Sequence, residues 1–249
     1  KQLLMPNIVM CIPSSITDVE SRAVVEAAKI AGAKKVYLIE EPIAALLGAG
    51  VDISSADGNM VVDIGGGTTD IAIISLNGIV TKSSVKVAGN KFDKAIVKYI
   101  GNRYRILIGE KTAEMAKVTI ANVFDPDGSR SMIIKGRHLV RGLPEQLEIT
   151  DYDIYEAIID QINEIIFAVK SVFESTPPEL VGDIYKNGIY LTGGGAMMYG
   201  LDKLISKEIG VPCHIANDPV SCVAKGAQAA FKYLDKLLDG FESVSLYKS

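Results

Sequence analysis

Tryptophan is absent from this 249-residue chain, and histidine is reduced to His138 and His214. Two histidines so far apart exclude a typical His-rich metal site. Cysteine is scarce too. Cys11, Cys213 and Cys222 are odd in number and scattered, with no CxxC pair. That pattern fits neither a zinc ribbon nor a disulfide framework, and reduced thiols in a cytoplasmic protein are expected. Cys213 and His214 are neighbours on a strand-like stretch, so they point to opposite faces and make a poor metal pair. No apolar run approaches the ~18 residues of a membrane span. Positive charge is not in surplus: 26 Lys+Arg stand against 30 Asp+Glu, a net charge of −4. A bulk nucleic-acid binder needs a basic footprint, so that class is excluded. What is present is a globular balance, 48% hydrophobic and 22% charged. At about 150 residues per domain, it fits one large domain or two modest ones.

The order of segments gives the fold class. Ile8 to Ile12 is apolar and closed by Pro13, as buried parallel strands are. Thr17 or Asp18 caps a helix running to Gly32, with Glu20 at the capping-box spacing. Val36 to Ile39 is a second strand, which completes a βαβ unit. Pro42 suits the first turn of a helix, over Ile43 to Gly50. Asp52 to Asn59 is polar and reads as a hinge. Strands follow at Met60–Ile64, Asp70–Ser75 and Ile79–Val87, with Asn77-Gly78 as the hairpin signal. Helices are expected over Lys91–Tyr104 and Thr112–Val123, then two short strands at Ser131–Ile134 and Gln146–Ile149. From Asp151 runs the longest helix, its apolar face marked by Ile154, Ile158, Ile162, Ile165 and Val169. Pro177-Pro178 ends it. A strand at Gly188–Thr192, a helix at Ala196–Gly210 and a last helix from Val220 to Leu238 close the chain.

Two glycine turns carry the chemistry. In Asp63-Ile64-Gly65-Gly66-Gly67-Thr68-Thr69-Asp70, three residues without Cβ let backbone N–H groups approach an anion and form a nest. Asp63 is suited to a hydrated Mg²⁺, which takes one or two carboxylates and keeps several waters. A plain hairpin that needs positive φ is the competing reading. Gly193-Gly194-Gly195 sits between a strand and a helix, where N–H groups collect at a helix N-terminus. No GxGxxG or GxxxxGK[ST] is present.

These residues also carry a resemblance. Val62 to Asp70 is similar to the second phosphate loop of the actin-like ATPase superfamily. Leu191-Thr192-Gly193-Gly194-Gly195 is similar to its adenosine loop, and Leu38 to Ala45 to its connecting helix. With Ile74-Ser75-Leu76-Asn77-Gly78 and Pro177-Pro178-Glu179-Leu180, the wording most resembles the MreB family of bacterial actins, over nearly the whole chain. The resemblance implies an actin-like (ribonuclease H-like) two-lobe α/β fold whose first lobe is incomplete, because nothing before Asp63 matches the first phosphate loop. A segment lacking that loop is expected to bind ATP poorly. Asp70 stands where the family often has Glu.

Roles follow from the resemblance. Glu41 matches the glutamate that orients the attacking water, Thr68 its hydroxyl partner, and Asp63 the aspartate near Mg²⁺ and its waters. Gly65, Gly66, Gly67 and Thr68 match the phosphate cradle. Glu114 and Lys117 match the pair that brackets the nucleoside, although by charge alone they read as a solvated helix face. Gly194, Gly195, Ala196 and Met197 match the adenosine loop. Leu3, Leu4 and Met5 align with an apolar loop that enters the bilayer surface in some members; a cut chain end is the plain alternative.

The implied function is a slow ATPase that polymerises into filaments at the inner face of the cell membrane and controls cell shape. Its partners would be itself, the membrane surface and membrane-bound shape-determining proteins, with no nucleic acid. A sugar- or acetate-kinase-like phosphotransferase and a non-catalytic scaffold are the alternatives. The implied organisation places residues 1–55 in the first lobe, with a C-terminal helix over 223–249 packed back on it. Residues 56–91 and 154–222 form the second lobe, and 92–153 an appended subdomain.

Overall fold

The computed structural model describes residues 5–232 and 241–245. Strand β1 (Asn7–Ile12) leads through helix α1 (Asp18–Ile30) into β2 (Lys35–Glu40). β1 and β2 pair in parallel from Asn7↔Lys35 to Ile12↔Glu40. Thr17 and Glu20 form the reciprocal capping box, each side chain satisfying the other's backbone N–H. Helix α2 (Glu41–Gly48) follows β2 without a loop, with Pro42 in its first turn.

Next come β3 (Asn59–Ile64), β4 (Thr69–Ser75) and β5 (Gly78–Val85), an antiparallel meander. The β4–β5 turn is not centred on Asn77-Gly78. Ser75 pairs with Gly78, and the two turn residues are Leu76 (φ 50°) and Asn77 (φ 62°). Both central residues of such a two-residue turn need positive φ. The register is set by the stretch expected to be a hinge. Leu76 N–H donates to Ser55 O and Asn77 N–H to Ile53 O, and Ile53 is fully buried. Residues 52–58 are therefore fastened to the hairpin.

Helix α3 (Gly89–Tyr104), the short β6 (Ile106–Leu107) and helix α4 (Glu110–Ile120) precede β7 (Ser131–His138) and β8 (Pro144–Thr150). β6, β7 and β8 form a small antiparallel sheet. Helix α5 (Asp151–Glu174) then buries all five residues of its expected apolar face. Pro177-Pro178 does more than end α5. Pro178 opens an unforeseen helix, α6 (Pro178–Asn187), because proline at the first helical position loses no hydrogen bond.

β9 (Ile189–Thr192) joins β3 in parallel, and β10 (Cys213–Ile215) joins β9. The main sheet thus has the order β10-β9-β3-β4-β5. The expected helix from Ala196 to Gly210 is broken. One 3-10 turn spans Gly194–Met197, Gly200 takes φ 83°, and α7 runs only over Leu201–Ile209. Helix α8 (Cys222–Ala230) ends well before residue 249, and β11 (Phe241–Ser245) is a strand. β11 pairs antiparallel with β2 from Phe241↔Ile39 to Ser245↔Lys35. β2 offers an edge ladder that this segment takes up. The rest of the expected C-terminal helix lies outside the described residues.

Packing places the two sheets around α2. One face of the main sheet (Val62, Ile64, Ile71, Ile73) meets α5 and α3 in the largest apolar cluster. The other face (Val61, Ala72, Ile74) meets Ile43, Ala44 and Leu46 of α2. α8 crosses α2 at glycines: a Cβ on Gly48 would stand 1.8 Å from Cys222 O, and one on Gly226 1.7 Å from Ala44 O. Only bare backbone permits that approach.

Candidate active site

The site lies at the C-terminal ends of β3 and β9, where ligands collect in α/β sheets. The turn after β3 is closed by Gly65 N–H donating to Thr68 O at 3.0 Å. It is pinned to the start of α3 by Gly89 N–H to Gly65 O and Asn90 N–H to Gly66 O. None of Gly65, Gly66 and Gly67 is among the glycines with positive φ. A hairpin requiring positive φ is therefore not why they are glycine. Nor is packing: a Cβ on Gly67 would meet nothing within 4 Å, and one on Gly66 nothing closer than 3.7 Å.

The turn after β9 is different. Gly193 has φ 79°, and its Cβ would stand 2.3 Å from Ile64 O. A Cβ on Gly195 would stand 2.2 Å from Ile64 Cγ2. This turn sits directly on the end of β3, so it holds the first turn in place. Gly194 alone is open, with nothing within 4 Å.

Between the turns and α4 lies a cavity of about 500 Å³, a size typical of small-molecule sites. Gly65, Gly66, Glu114, Lys117, Gly194, Gly195 and Met197 all line it. Residues separated by more than a hundred positions thus meet around one space. Ala196 is fully buried and packs beneath the turn. Gly67 is exposed and Thr68 half-buried, both beside the cavity on the same turn. Met5 is exposed, and Leu3 and Leu4 lie outside the described residues.

Asp63 is buried under the two turns. Its Oδ1 accepts a 2.6 Å hydrogen bond from the Thr192 hydroxyl, its register partner on β9. Burial pushes its carboxyl up to about 6, against the Thr192 bond, and Asp70 adds repulsion. Glu41 is half-buried at the start of α2. Burial first, then Asp70 and Asp63, push its carboxyl up to about 7. Burial first, then the Glu41 and Asp63 carboxylates, hold the Cys11 thiol up at about 12 and therefore unreactive. Among the described residues no group of three or more His, Cys, Asp or Glu forms a ready metal cage. A single carboxylate beside a turn of glycine N–H groups is nevertheless a donor set of the kind Mg²⁺ accepts, since that ion keeps several of its waters.

A family model described as MreB/Mbl protein matches residues 1–239. The chain belongs to the MreB/Mbl family. It is 47% identical over 232 residues to the cell shape-determining protein Mbl of Bacillus subtilis (strain 168), covering 93% of this chain and 70% of that one. It is 46% identical over 230 residues to the cell shape-determining protein MreB of Escherichia coli (strain K12), covering 92% and 66%. The chain therefore spans about two thirds of the length of these relatives. Among solved structures it is similar to MreB5 of Spiroplasma citri bound to AMPPNP, with a TM-score of 0.87 and 42% identity over 92% of this chain and 68% of that one. A MamK double helical filament shares the fold, with a TM-score of 0.77 at 20% identity over 92% and 69%. The actin-like α/β fold expected from the sequence is the fold observed. Membership of the MreB/Mbl family also sets aside the kinase alternative.

Several residues of this MreB/Mbl site escape motif reading. Asp93 on α3 is buried and accepts a 2.7 Å bond from Lys117 Nζ, which also donates to Gly89 O. Burial raises the Asp93 carboxyl, opposed by Lys117. Arg130 stacks 4.3 Å over the Tyr199 ring at the cavity wall. Both contacts join separate elements, and neither spacing is periodic.

Proposed function

We propose that this chain is the nucleotide-handling part of a cell-shape bacterial actin, which binds ATP in the cavity and hydrolyses it slowly. The observation that carries the proposal is the convergence of both glycine turns and α4 on one cavity, with three glycines there that the fold does not require. Bare N–H groups at Gly66, Gly67 and Gly194 suit phosphate oxygens, while Gly65, whose N–H closes the turn on Thr68 O, leaves room for them to approach. Glu114 and Lys117 flank the nucleoside, with Lys117 steadied by Asp93. Gly195, Ala196 and Met197 form the base-side loop. MreB5 of Spiroplasma citri, to which the chain is similar, is bound to AMPPNP in one solved structure and to ADP in another, which supports nucleotide binding by this fold.

Hydrolysis needs a positioned water more than covalent chemistry. Glu41, with its carboxyl near pH 7, is suited to accept a proton from that water. Thr68 supplies the hydroxyl that shares its orientation. Asp63 would hold Mg²⁺ through water, and the ion, when bound, supplies positive charge to the phosphates. Self-association into filaments is the reading that membership of the family supports; the MamK double helical filament, at 20% identity, supports only the shared fold. Contact with the membrane surface through Leu3, Leu4 and Met5, placement at its inner face, and membrane-bound shape-determining partners complete the reading. No helix among the described residues is long and apolar enough to cross a membrane. The lobe division proposed is 1–55 with α8, 56–91 with 154–222, and 92–153 as the appended subdomain.

Phosphate release and filament formation on anionic vesicles by the full-length protein test the reading. ATP-dependent filaments and release abolished by Glu41→Ala are expected. Unchanged release in Glu41→Ala, or no assembly with any nucleotide, overturns it. In the same assay, Leu3→Ser with Leu4→Ser is expected to abolish vesicle co-sedimentation.

A further inference from the structure

Glu41 can act only if α2 is held in place from both sides, and the polar contacts around it do this in an unforeseen way. The α2-facing side of the main sheet is apolar at Val61, Ala72 and Ile74. Alternation puts Asp63, Asp70, Lys82 and Ser84 on that same side, with Asp63↔Asp70↔Ser84 and Ala72↔Lys82 as register partners. The polar end of the sheet face therefore meets the N-terminal end of α2, where Glu41 stands.

Two contacts cross there from the main sheet to the β1–β2 sheet. Lys82 Nζ on β5 grips both oxygens of Glu40, the last residue of β2, at 2.7 and 2.8 Å. Glu40 is the N-cap residue of α2 and has no side-chain cap bond of its own. On β4, Asp70 Oδ1 accepts a 2.8 Å bond from Ser14 N–H, in the loop after β1. Asp70 is fully buried. Asp70 Oδ2, Ser14 Oγ and Ser84 Oγ are buried without protein partners in the described structure. A fully buried carboxylate with one bond is costly to keep for stability alone.

We propose that Lys82–Glu40 and Asp70–Ser14 form a two-point clasp between the sheets, and that Lys82 and Asp70 are positioning residues for Glu41. This rests on the reading of Glu41 as the group that orients water. The clasp fixes both neighbours of the β2–α2 junction, so relaxing either point displaces the Glu41 carboxylate while the cavity, on the other side of the sheet end, stays intact. Small displacements of a water-orienting group cost rate, not binding.

The experiment compares full-length wild-type protein with Lys82→Met, Asp70→Asn, Lys82→Glu and the charge swap Glu40→Lys with Lys82→Glu. Phosphate-release kcat and the Kd of a fluorescent ATP analogue are both measured, with thermal melting as the check on folding. The clasp predicts kcat down about ten-fold in the single variants and Kd changed by less than about two-fold. It also predicts that the swap recovers most of the rate lost in Lys82→Glu. Because Lys82 is partly exposed, its variants stay folded even if Asp70→Asn does not. Normal kcat in folded Lys82→Met, equal losses of kcat and binding, or a swap no better than Lys82→Glu overturns the clasp. Glu41→Gln separates the two readings. If it is silent while Lys82→Met is normal, only the clasp falls; if it is fully active, the role of Glu41 falls and the clasp with it.

Discussion

The two glycine turns have the same composition and opposite physics. At 193–195 the fold itself demands glycine. Gly193 has φ 79° and ψ 169°, a region open essentially to glycine, and its missing Cβ would run into the backbone of Ile64. At 65–67 nothing in the fold objects to a side chain. A glycine that the protein's own atoms require is structural. A glycine that they do not require, facing a cavity, points to a ligand that must come close. The first turn is thus the part that touches phosphate in our reading, and the second is mainly its support.

The largest effect should separate the two. Gly193→Ala forces both a disfavoured φ and a backbone clash, and should cost about 3 kcal/mol or more of stability. Gly67→Ala should change stability by less than about 0.5 kcal/mol, yet weaken binding of a fluorescent ATP analogue. Thermal melting and a binding titration on both variants decide the matter. Equal destabilisation, or intact binding in Gly67→Ala, breaks the comparison.

The turns are joined by the Thr192–Asp63 bond, which gives a second test. Thr192→Val removes the donor and leaves a buried carboxylate less satisfied. A loss of about 2 kcal/mol is expected at pH 8, where Asp63 is charged, and a smaller one at pH 5. Chemical denaturation at both pH values measures it. A loss independent of pH would show that the hydroxyl only fills space.

The carboxylates themselves make stability depend on pH. Glu41 is raised from 4.5 to about 7 and Asp63 from 3.8 to about 6. Between the ordinary and the raised values the folded chain keeps protons that the unfolded chain has lost. Nucleotide-free stability must therefore fall as pH rises through this window and level off above about 7. Glu41 is partly solvated, so Glu41→Gln should recover only on the order of 1 kcal/mol at pH 8 and leave pH 4 unchanged. A denaturation series from pH 4 to pH 8 tests this. A stability that rises with pH over the window would contradict the raised values.

Much of this site was legible as words in the sequence, because glycine, aspartate and threonine in a fixed order need only local geometry. The βαβ opening, the Thr17 capping box and the apolar face of α5 were legible for the same reason: each is decided within a few residues. What was not legible is decided at a distance. Lys117 looks like a surface charge until Asp93 is brought to it by the packing of α3 on α4. The break before α7 turns on Gly200, whose missing Cβ would stand 2.7 Å from Phe124 Cβ, far away in sequence. The strand at Phe241–Ser245 exists because β2 has an edge to fill, which no window of the C-terminal sequence reveals.

The β4–β5 turn gives the smallest test and sharpens the contrast between demanded and undemanded glycine. Here the backbone requires positive φ at two positions, and neither is glycine: Leu76 takes φ 50° and Asn77 φ 62°. Leucine pays about 1 kcal/mol for that conformation, whereas asparagine tolerates it. Leu76 is largely exposed, so replacing it removes little packing. Leu76→Asn should therefore stabilise the protein by about 0.5 kcal/mol, read as a small rise in Tm, with nucleotide binding unchanged. The strain survives because two backbone bonds from the turn to Ser55 and Ile53 set its shape. Had the turn needed a Cβ-free approach, as Gly193 does, no such substitution would be open. A lower Tm in Leu76→Asn would mean that the leucine side chain contributes more than its backbone costs.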